Sequence, residues 1–362
     1  MAALLTVAAF AAIGAATQAE SVARLLNSRA SGSRKGYAAA AKEVVAAAKA
    51  GAPLQRYVIA LVARDEYAPE EAKIADDVRE KWLADGRKQF RKLHELTGNP
   101  LVSYLLAIDS GDTNLLRTAA EKGNVQAMNA WGNMNLDEGV RSSDTNVSAR
   151  CISTAYAMFR KAAGMGDANG LYNLGMCYAR GIGEKRDDTS AYLCFRSAAE
   201  KGHPAAMNSF GWFLREGRTG DRDPEFAAKW FEKAAELGDP TAMFNLALAY
   251  MRGEGVPKDS EKMLSLTRQA AEGGLPEAMD AWGVALMRGD GVDKDLKAAV
   301  RWFRKSAAEG YPPAMENLVQ CYDNGWGVRE DAAQAMKWKM RSRAARGDAN
   351  AAEWLMHNKF DD

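Results

Sequence analysis

Few side chains of this 362-residue sequence have the types and spacing that catalysis or metal binding requires. The three histidines, His94, His203 and His357, lie far apart, and none has further ligand residues at the spacing of a metal-binding motif. No serine has a lysine three residues later, which is the Ser-x-x-Lys spacing of serine β-lactamases. The sequence therefore predicts no catalytic residue, no metal site and no cofactor, and a protein that is not an enzyme.

Glycine pairs of the form Gly-x-Gly begin at Gly181, Gly253, Gly289 and Gly325 and could be mistaken for phosphate-binding loops. A P-loop follows a β-strand and ends in Lys-Ser or Lys-Thr. No strand pattern precedes these pairs and no such dipeptide follows them. The pairs are therefore predicted to be turns between helices.

The elements that these turns connect are clearest in residues 238–274. A first helix is predicted from Pro240 to about Met251, because proline suits a first helical turn. Asp259 is predicted to be the N-cap of a second helix. The inward residues, three or four apart or adjacent, are Met243, Leu246, Ala247, Tyr250, Met263, Leu266, Ala270 and Ala271. One such hairpin cannot bury its own apolar stripe, so it needs neighbours.

The same pattern recurs with a period of 36 residues. One column of equivalent positions holds Met207, Met243, Met279 and Met315, and the second helices carry Cys194, Trp230, Leu266, Trp302 and Trp338. A fixed period of this length predicts a stacked repeat array. The fold class is therefore all-α, an α-solenoid of antiparallel helix pairs, which grows in one dimension and needs no single large core.

The overall charge argues against a nucleic-acid-binding protein. The chain has 48 basic and 47 acidic residues, a net charge of +1. A phosphate-binding surface normally has a clear basic excess. The sequence therefore predicts no nucleic-acid partner.

Residues 1–19 contain no charged side chain and have an apolar middle followed by small residues, which resembles a secretory signal that lacks a basic start. We predict export, to a bacterial periplasm or by secretion. The alternative is a cytoplasmic protein with an alanine-rich first helix. The stretch is barely long enough to span a membrane and no other segment approaches that length, so no span is predicted in the mature chain.

Two regions follow this segment. Residues 20–114 are predicted to form divergent helical pairs that cap the array, including a long charged helix from Pro69 towards Leu96 with Gly86 as its weak point. Residues 115–362 are predicted to form the array, with about six repeats and a partial C-terminal cap. The first repeat is seven residues longer than the others, and its polar run at 141–148 is predicted to be a surface loop.

His203 occupies a repeat-boundary position that holds Asp239, Leu275 or Tyr311 in other copies. It is predicted to be a solvent-facing turn residue. Cys177 and Cys194 lie at matching heights on the two helices of one repeat, and their columns are core columns elsewhere. They are predicted to be two small buried side chains, or a disulfide if the protein is exported and the Cα atoms lie within bonding range.

Two copies carry a family resemblance. The stretches Leu171–Tyr178 with Gly181-Ile-Gly183, and Ala281-Trp-Gly283 with 299–307, resemble the Sel-one-like repeat, a relative of the tetratricopeptide repeat. The resemblance covers about residues 115–356 and implies a right-handed superhelix used mainly to hold other proteins. Val319 in place of the usual Gly and Lys339 in place of the usual Phe indicate a looser C-terminal end.

The resemblance favours a scaffold for a protein or peptide partner, and it also raises an alternative. Some cysteine-rich relatives are linked to penicillin binding or β-lactam hydrolysis, so a cell-wall or β-lactam hydrolase is the second hypothesis, although the Ser-x-x-Lys that such chemistry needs is missing. A nucleic-acid reader built from helical repeats is a third, weaker hypothesis.

By resemblance to tetratricopeptide arrays, the first helices line a concave groove. A second stripe beside their core stripe would then face the partner, as an apolar trough rimmed by arginines. Its predicted partner-binding residues are Tyr172, Met176, Arg180, Trp212, Arg215, Phe244, Leu248, Met251, Arg252, Met287 and Arg288. Packing of the same stripe against the next repeat is the equally weighted alternative.

Overall fold

The computed structural model describes residues 21–358, except residues 23, 29–30, 32–33, 51 and 64–72. The regular elements within this part are α-helices, which confirms the predicted fold class. Residues 21–22 and 24–28 are helical, and five further helices precede the regular repeats. Their bounds are α1 Arg34–Lys49, α2 Pro53–Val62, α3 Asp76–Thr97, α4 Pro100–Ser110 and α5 Thr113–Glu121.

The helices of the regular repeats alternate between first and second members of a hairpin. They are α6 Val125–Arg141, α7 Thr145–Gly164, α8 Ala168–Arg180, α9 Asp188–Glu200, α10 Pro204–Glu216, α11 Pro224–Glu236, α12 Pro240–Arg252, α13 Ser260–Glu272, α14 Pro276–Arg288, α15 Leu296–Ala308, α16 Pro312–Asn324, α17 Ala332–Ala345 and α18 Ala349–His357. The chain forms two compact units, residues 1–222 and 223–362. Within each unit, a helix packs mainly against the helices before and after it in sequence.

The hairpin α12–α13 follows the predicted pattern closely. Asp259 caps α13, and its side-chain oxygen accepts a hydrogen bond from the Lys262 N–H. Leu246, Ala247, Ala270 and Ala271 are buried. The remaining inward residues, Met243, Tyr250, Met263 and Leu266, are half-buried. The sequence period therefore identified both the helices and their facing sides.

The Gly-x-Gly turns are inter-helix turns, as predicted, and each glycine has its own physical reason. Gly253 ends α12 in the left-handed conformation with φ 73°, which lets its N–H bond to the Ala249 carbonyl. Gly255 also has a positive φ of 73°, and a Cβ there would lie 2.0 Å from the Pro224 carbonyl oxygen. The second glycine thus lets the turn touch the start of the preceding second helix.

A glycine in the first helix also sets how closely the two helices of a hairpin approach. A Cβ on Gly283 would lie 2.6 Å from Cε1 of Phe303, and Gly175 has the same relation to Phe195. The last full hairpin replaces this pair with Val319 and Lys339. Val319 of α16 is half-buried and Lys339 of α17 is exposed, so this hairpin lacks the close contact between a glycine and a buried ring. This hairpin is packed through a cluster that includes Leu318, Cys321 and Trp338.

The seven extra residues of the first repeat do not form a surface loop, so that prediction is wrong. They lengthen the helices: α6 has 17 residues and α7 has 20, whereas α8 and α9 have 13 each. Asp144 in the polar run accepts hydrogen bonds from the N–H groups of Asn146 and Val147 as the N-cap of α7. The polar run was therefore a helix-start signal.

The N-terminal helices pack around Tyr57, and here the prediction for Gly86 is wrong. A Cβ on Gly86 would lie 2.4 Å from the Tyr57 ring, so the glycine in α3 is the place where that ring packs rather than a weak point. The hydroxyl of Tyr57 donates to Asp109 at 2.8 Å, and Arg87 donates to the same carboxylate through Nε and Nη2. One buried carboxylate thereby links α2, α3 and α4.

Two predictions fall on residues outside the described part of the chain. Pro69, the predicted start of the long charged helix, lies there, and the described helix α3 begins at Asp76. Residues 1–19 also lie there, so export stays a prediction. Among the described helices, none combines the length and apolar character that a membrane span requires.

Candidate partner-binding face

The predicted second stripe meets the boundary between repeats. Tyr172 of α8 stacks on His203, the residue that precedes α10, with ring centroids 4.6 Å apart. One repeat earlier, at the equivalent places, Asn129 of α6 donates a hydrogen bond to Asp167 at 2.7 Å. Tyr172 also contacts the Phe195 ring, with centroids 6.0 Å apart. The first position of the stripe therefore links consecutive repeats.

His203 is buried, at 4% exposure, so the prediction of a solvent-facing turn residue is wrong. Its Nδ1 accepts a hydrogen bond from the Ala206 N–H at 3.2 Å, which makes the imidazole the N-cap of α10. Burial lowers the pKa of His203 to about 4. The ring is therefore neutral at physiological pH, as its acceptor role requires.

Trp212 of α10 is half-buried and packs within its own unit. Its ring lies 5.5 Å from that of Phe213, and the guanidinium of Arg218 lies 5.4 Å from its centroid. Arg218 is held in turn by Asp188, at 2.7 Å. Trp212 thus supports a cation–π and salt-bridge cluster on the turn after α10.

Phe244 and Leu248 of α12 are also half-buried. Phe244 packs against the buried cluster of α13 and α14 that contains Ala278 and Met279. Met251, at the end of the same helix, is 47% exposed. The α12 stripe therefore changes from packing at Phe244 to an open apolar surface at Met251.

The remaining predicted residues cluster at the C-terminal ends of first helices. Arg180, Arg252 and Arg288 are exposed, and a cation in the last turn also favours the helix dipole. Arg252 lies 3.8 Å from Glu254, and Arg215 pairs with Glu216 at 2.9 Å. Met176 and Met287 are half-buried. We call Phe244, Leu248, Met251, Arg252, Met287 and Arg288 the α12–α14 face, since all six lie on two first helices of one unit.

Two polar residues of the second unit form a further link between first helices. Asn317 of α16 donates to Asp280 of α14 at 2.8 Å. Burial raises the pKa of Asp280, and the Asn317 hydrogen bond acts in the opposite direction. The sequence contained a signal for this contact, because Asp280 stands in the same column as Tyr172 and Phe244. A carboxylate that is buried at this position needs a hydrogen-bond donor from the next repeat.

A close Ser–His contact exists in the N-terminal helices, but its geometry does not suit a nucleophile. His94 Nδ1 lies 2.9 Å from Ser103 Oγ. Ser103 is fully buried and its hydroxyl donates to the carbonyl of Asn99. A catalytic serine must reach substrate as well as its base, and this one is enclosed.

The cysteines and acidic residues add no reactive site to the described chain. Cys151, Cys177, Cys194 and Cys321 are free thiols, so no Cys177–Cys194 bond is present. Burial raises the pKa of Cys177 and of Cys194 to about 11, which keeps both thiols protonated. Within the described ranges, no group of three or more His, Cys, Asp or Glu is arranged to hold a metal ion.

The repeat architecture agrees with a known family. The Sel1 repeat family model matches six consecutive segments, residues 125–167, 168–203, 204–239, 240–275, 276–311 and 312–338. The chain belongs to the Sel1 repeat family. The matched segments cover more than half of the chain, and their 36-residue spacing is the period read from the sequence. Sel1 repeat proteins are generally scaffolds for protein interactions.

Three solved structures are similar to this chain, and the first of them supports the same assignment. A Sel1 repeat protein from Oxalobacter formigenes is 26% identical with a TM-score of 0.59, covering 68% of this chain and 100% of that one. A protective antigen of uropathogenic Escherichia coli strains with an SLR fold is 22% identical with a TM-score of 0.37, covering 93% of each chain. The immunity protein Pa5087 from Pseudomonas aeruginosa is 18% identical with a TM-score of 0.45, covering 61% of this chain and 83% of its own. Among curated proteins, none matches this chain.

Proposed function

We propose that this Sel1 repeat protein is a non-enzymatic scaffold that holds a segment of a protein partner against the α12–α14 face. The observation that carries the proposal is the exposure of Met251 beside exposed Arg252. An apolar side chain of this size gains free energy when a partner covers it. Methionine also adapts its shape to different apolar surfaces.

The arginines indicate the chemistry of the partner. Arg288 ends α14 as Arg252 ends α12, and both side chains are exposed. A guanidinium binds a carboxylate through two parallel hydrogen bonds. The partner segment should therefore present an apolar side chain to Met251 and an acidic side chain to Arg288. In the other unit, we extend the proposal to Met176 and exposed Arg180 as a separate contact surface.

Site-specific crosslinking tests the proposal and also identifies the partner. A photoreactive amino acid is introduced at Met251 of the full chain and, as a matched control, at Leu193, an apolar residue of the second helix α9 that is 57% exposed. The partner should be captured from position 251 and not from 193. Equal capture from both positions would indicate nonspecific contact and would contradict the proposal.

The captured protein is then purified and its affinity is measured directly. Met251→Asp and Arg288→Asp should each weaken binding about tenfold or more, since buried apolar anchors and arginines dominate interface energetics. Leu193→Asp should leave the affinity unchanged. If the two face variants bind as tightly as the parent protein, the partner does not dock on the α12–α14 face.

A further inference from the structure

A pocket of about 930 Å³ lies in the second unit, between the second helices α15 and α17. Tyr322 of α16 and the turn at 328–331 complete its lining. Four of its side chains are cationic and two are acidic, so the lining carries a net charge of +2. The charged residues are Arg304, Arg329, Lys337, Arg341, Glu330 and Asp331.

One of the two carboxylates is already engaged. Asp331 Oδ1 accepts hydrogen bonds from the N–H groups of Ala333 and Gln334 as the N-cap of α17. Asp331 keeps its negative charge in this role, so the net charge of the lining remains +2. The chain as a whole has a net charge of only +1, so this excess is local.

The arginine on α15 has a different partner from the equivalent arginines of two earlier repeats. At the position of Arg304, Arg196 and Arg268 each pair with a glutamate four residues later, at 2.9 Å in both cases. The residue four positions after Arg304 is Ala308. Arg304 donates instead to the hydroxyl of Tyr322 at 2.7 Å, which directs the guanidinium towards the pocket.

A second change adds to the first. Arg329 occupies the turn position that Asp293 holds one repeat earlier, so an acidic residue is replaced by a cation at the edge of the pocket. The Arg341 guanidinium lies over the Trp338 ring at 4.8 Å. When a guanidinium stacks on a ring, its N–H groups point outward in its own plane, where a carboxylate can accept hydrogen bonds from them.

The wall also contains a donor without an acceptor. The indole N–H of Trp338 is buried and makes no hydrogen bond. A buried polar group in this state costs free energy. This donor is covered by protein atoms, so a carboxylate in the pocket would accept hydrogen bonds from the guanidinium groups instead.

We propose that the pocket between α15 and α17 is a carboxylate-binding site for an acidic segment of a protein partner. The pocket is separate from the α12–α14 face, so the two proposals can fail independently. The ligand class follows from the guanidinium groups, which match the planar carboxylate in charge and geometry.

Binding of a fluorescein-labelled hexaglutamate peptide to the full chain tests this assignment by fluorescence polarisation. The peptide should bind, and Arg304→Gln and Arg329→Asp should each weaken binding about tenfold or more, because charge-assisted hydrogen bonds are lost. Lys229→Asp is the matched control, since it replaces an exposed lysine of α11 and changes the charge as much as Arg329→Asp does. It should not affect binding.

Thermal unfolding is measured for every variant, because Arg304→Gln also removes the hydrogen bond to Tyr322 and could lower stability. Arg329 is exposed, so Arg329→Asp should fold normally. The proposal is overturned if the peptide does not bind, or if Lys229→Asp weakens binding as much as Arg329→Asp, which would indicate general charge attraction. It is also overturned if inorganic phosphate displaces the peptide at equal concentration. Loss of binding in Arg288→Asp but not in Arg329→Asp would assign the peptide to the α12–α14 face instead.

Discussion

The ring of Tyr172 stacks on the imidazole of His203, with ring planes 24° from parallel. This contact joins α8 to the N-cap of α10, one repeat further along the chain. The same pair of positions one repeat earlier holds Asn129 and Asp167, joined by a hydrogen bond. The link between repeats thus uses the same two positions at both boundaries, but it is a ring stack at one and a hydrogen bond at the other. Each boundary can therefore respond differently to pH.

Protonation of His203 should destabilise the fold as pH falls. Burial lowers its pKa from 6.5 to about 4 in the folded protein. At pH values between about 4 and 6.5, the unfolded chain binds a proton on this histidine and the folded chain does not. The free energy of unfolding is therefore highest above pH 6.5 and falls as the pH decreases to about 4. The loss should reach about 3 kcal/mol in the free energy of unfolding.

His203→Asn provides the control for this measurement. Asparagine caps α6 at Asn124, where it accepts from the Ala127 N–H, so it can replace the acceptor without titrating. Chemical denaturation from pH 7 to pH 4 should show a smaller loss for the variant than for the parent protein. Identical pH profiles would mean that His203 does not carry the effect.

Gly283→Ala should destabilise the protein although alanine favours helix formation. The added Cβ would lie 2.6 Å from the Phe303 ring, which is fully buried and cannot move away without opening the hairpin. Overpacking of this kind should lower the free energy of unfolding by about 1 kcal/mol or more. Gly164→Ala is the control, since Gly164 also lies in a helix and has no atom within 4 Å of the added carbon. It should raise stability by roughly 0.5 kcal/mol, and a similar loss in both variants would contradict the packing argument.

Asp109→Asn should weaken the N-terminal helices. Burial raises the pKa of Asp109, but the hydrogen bonds from Arg87 and Tyr57 outweigh it and leave the pKa below its ordinary value of 3.8. The charged carboxylate therefore stabilises the fold at neutral pH, and this contribution is lost as pH falls through the lowered pKa. The variant should lose about 2 kcal/mol in urea denaturation at pH 7, whereas Asp85→Asn, at an exposed position of α3, should lose little. Equal stability of both variants at pH 7 would exclude this role.

The hairpins were predictable because every copy repeats the same spacing of apolar residues. The Met243, Leu246 and Ala247 stripe needs only local helix geometry to be recognised. Asp144 also carried a local signal, since an Asp before a helical pattern is a typical N-cap. Its polar neighbours concealed the buried stripe of α7, whose members are Cys151, Ala155, Phe159 and Ala162.

The contacts between repeats were not predictable in the same way. Whether His203 faces solvent depends on the residue that the preceding first helix places opposite it, and no local pattern encodes that register. Gly86 was misread for the same reason, because its neighbour Tyr57 is 29 positions away in sequence. At the candidate site, the arginines at helix ends were recognisable from position, whereas the division of the stripe into packing and exposed residues required the structure.

Phe244→Ala and Met251→Ala should separate the packing part of the α12–α14 face from its exposed part. Phe244 is half-buried against the cluster of α13 and α14, so its truncation leaves unfilled space between repeats. We expect a loss of about 2 kcal/mol in the free energy of unfolding. Met251 is 47% exposed, so Met251→Ala should change stability by less than about 0.5 kcal/mol. Thermal and urea unfolding of the two variants measures the difference. If Phe244→Ala is as stable as the parent protein, Phe244 is available to a partner and the binding surface extends along the whole stripe of α12.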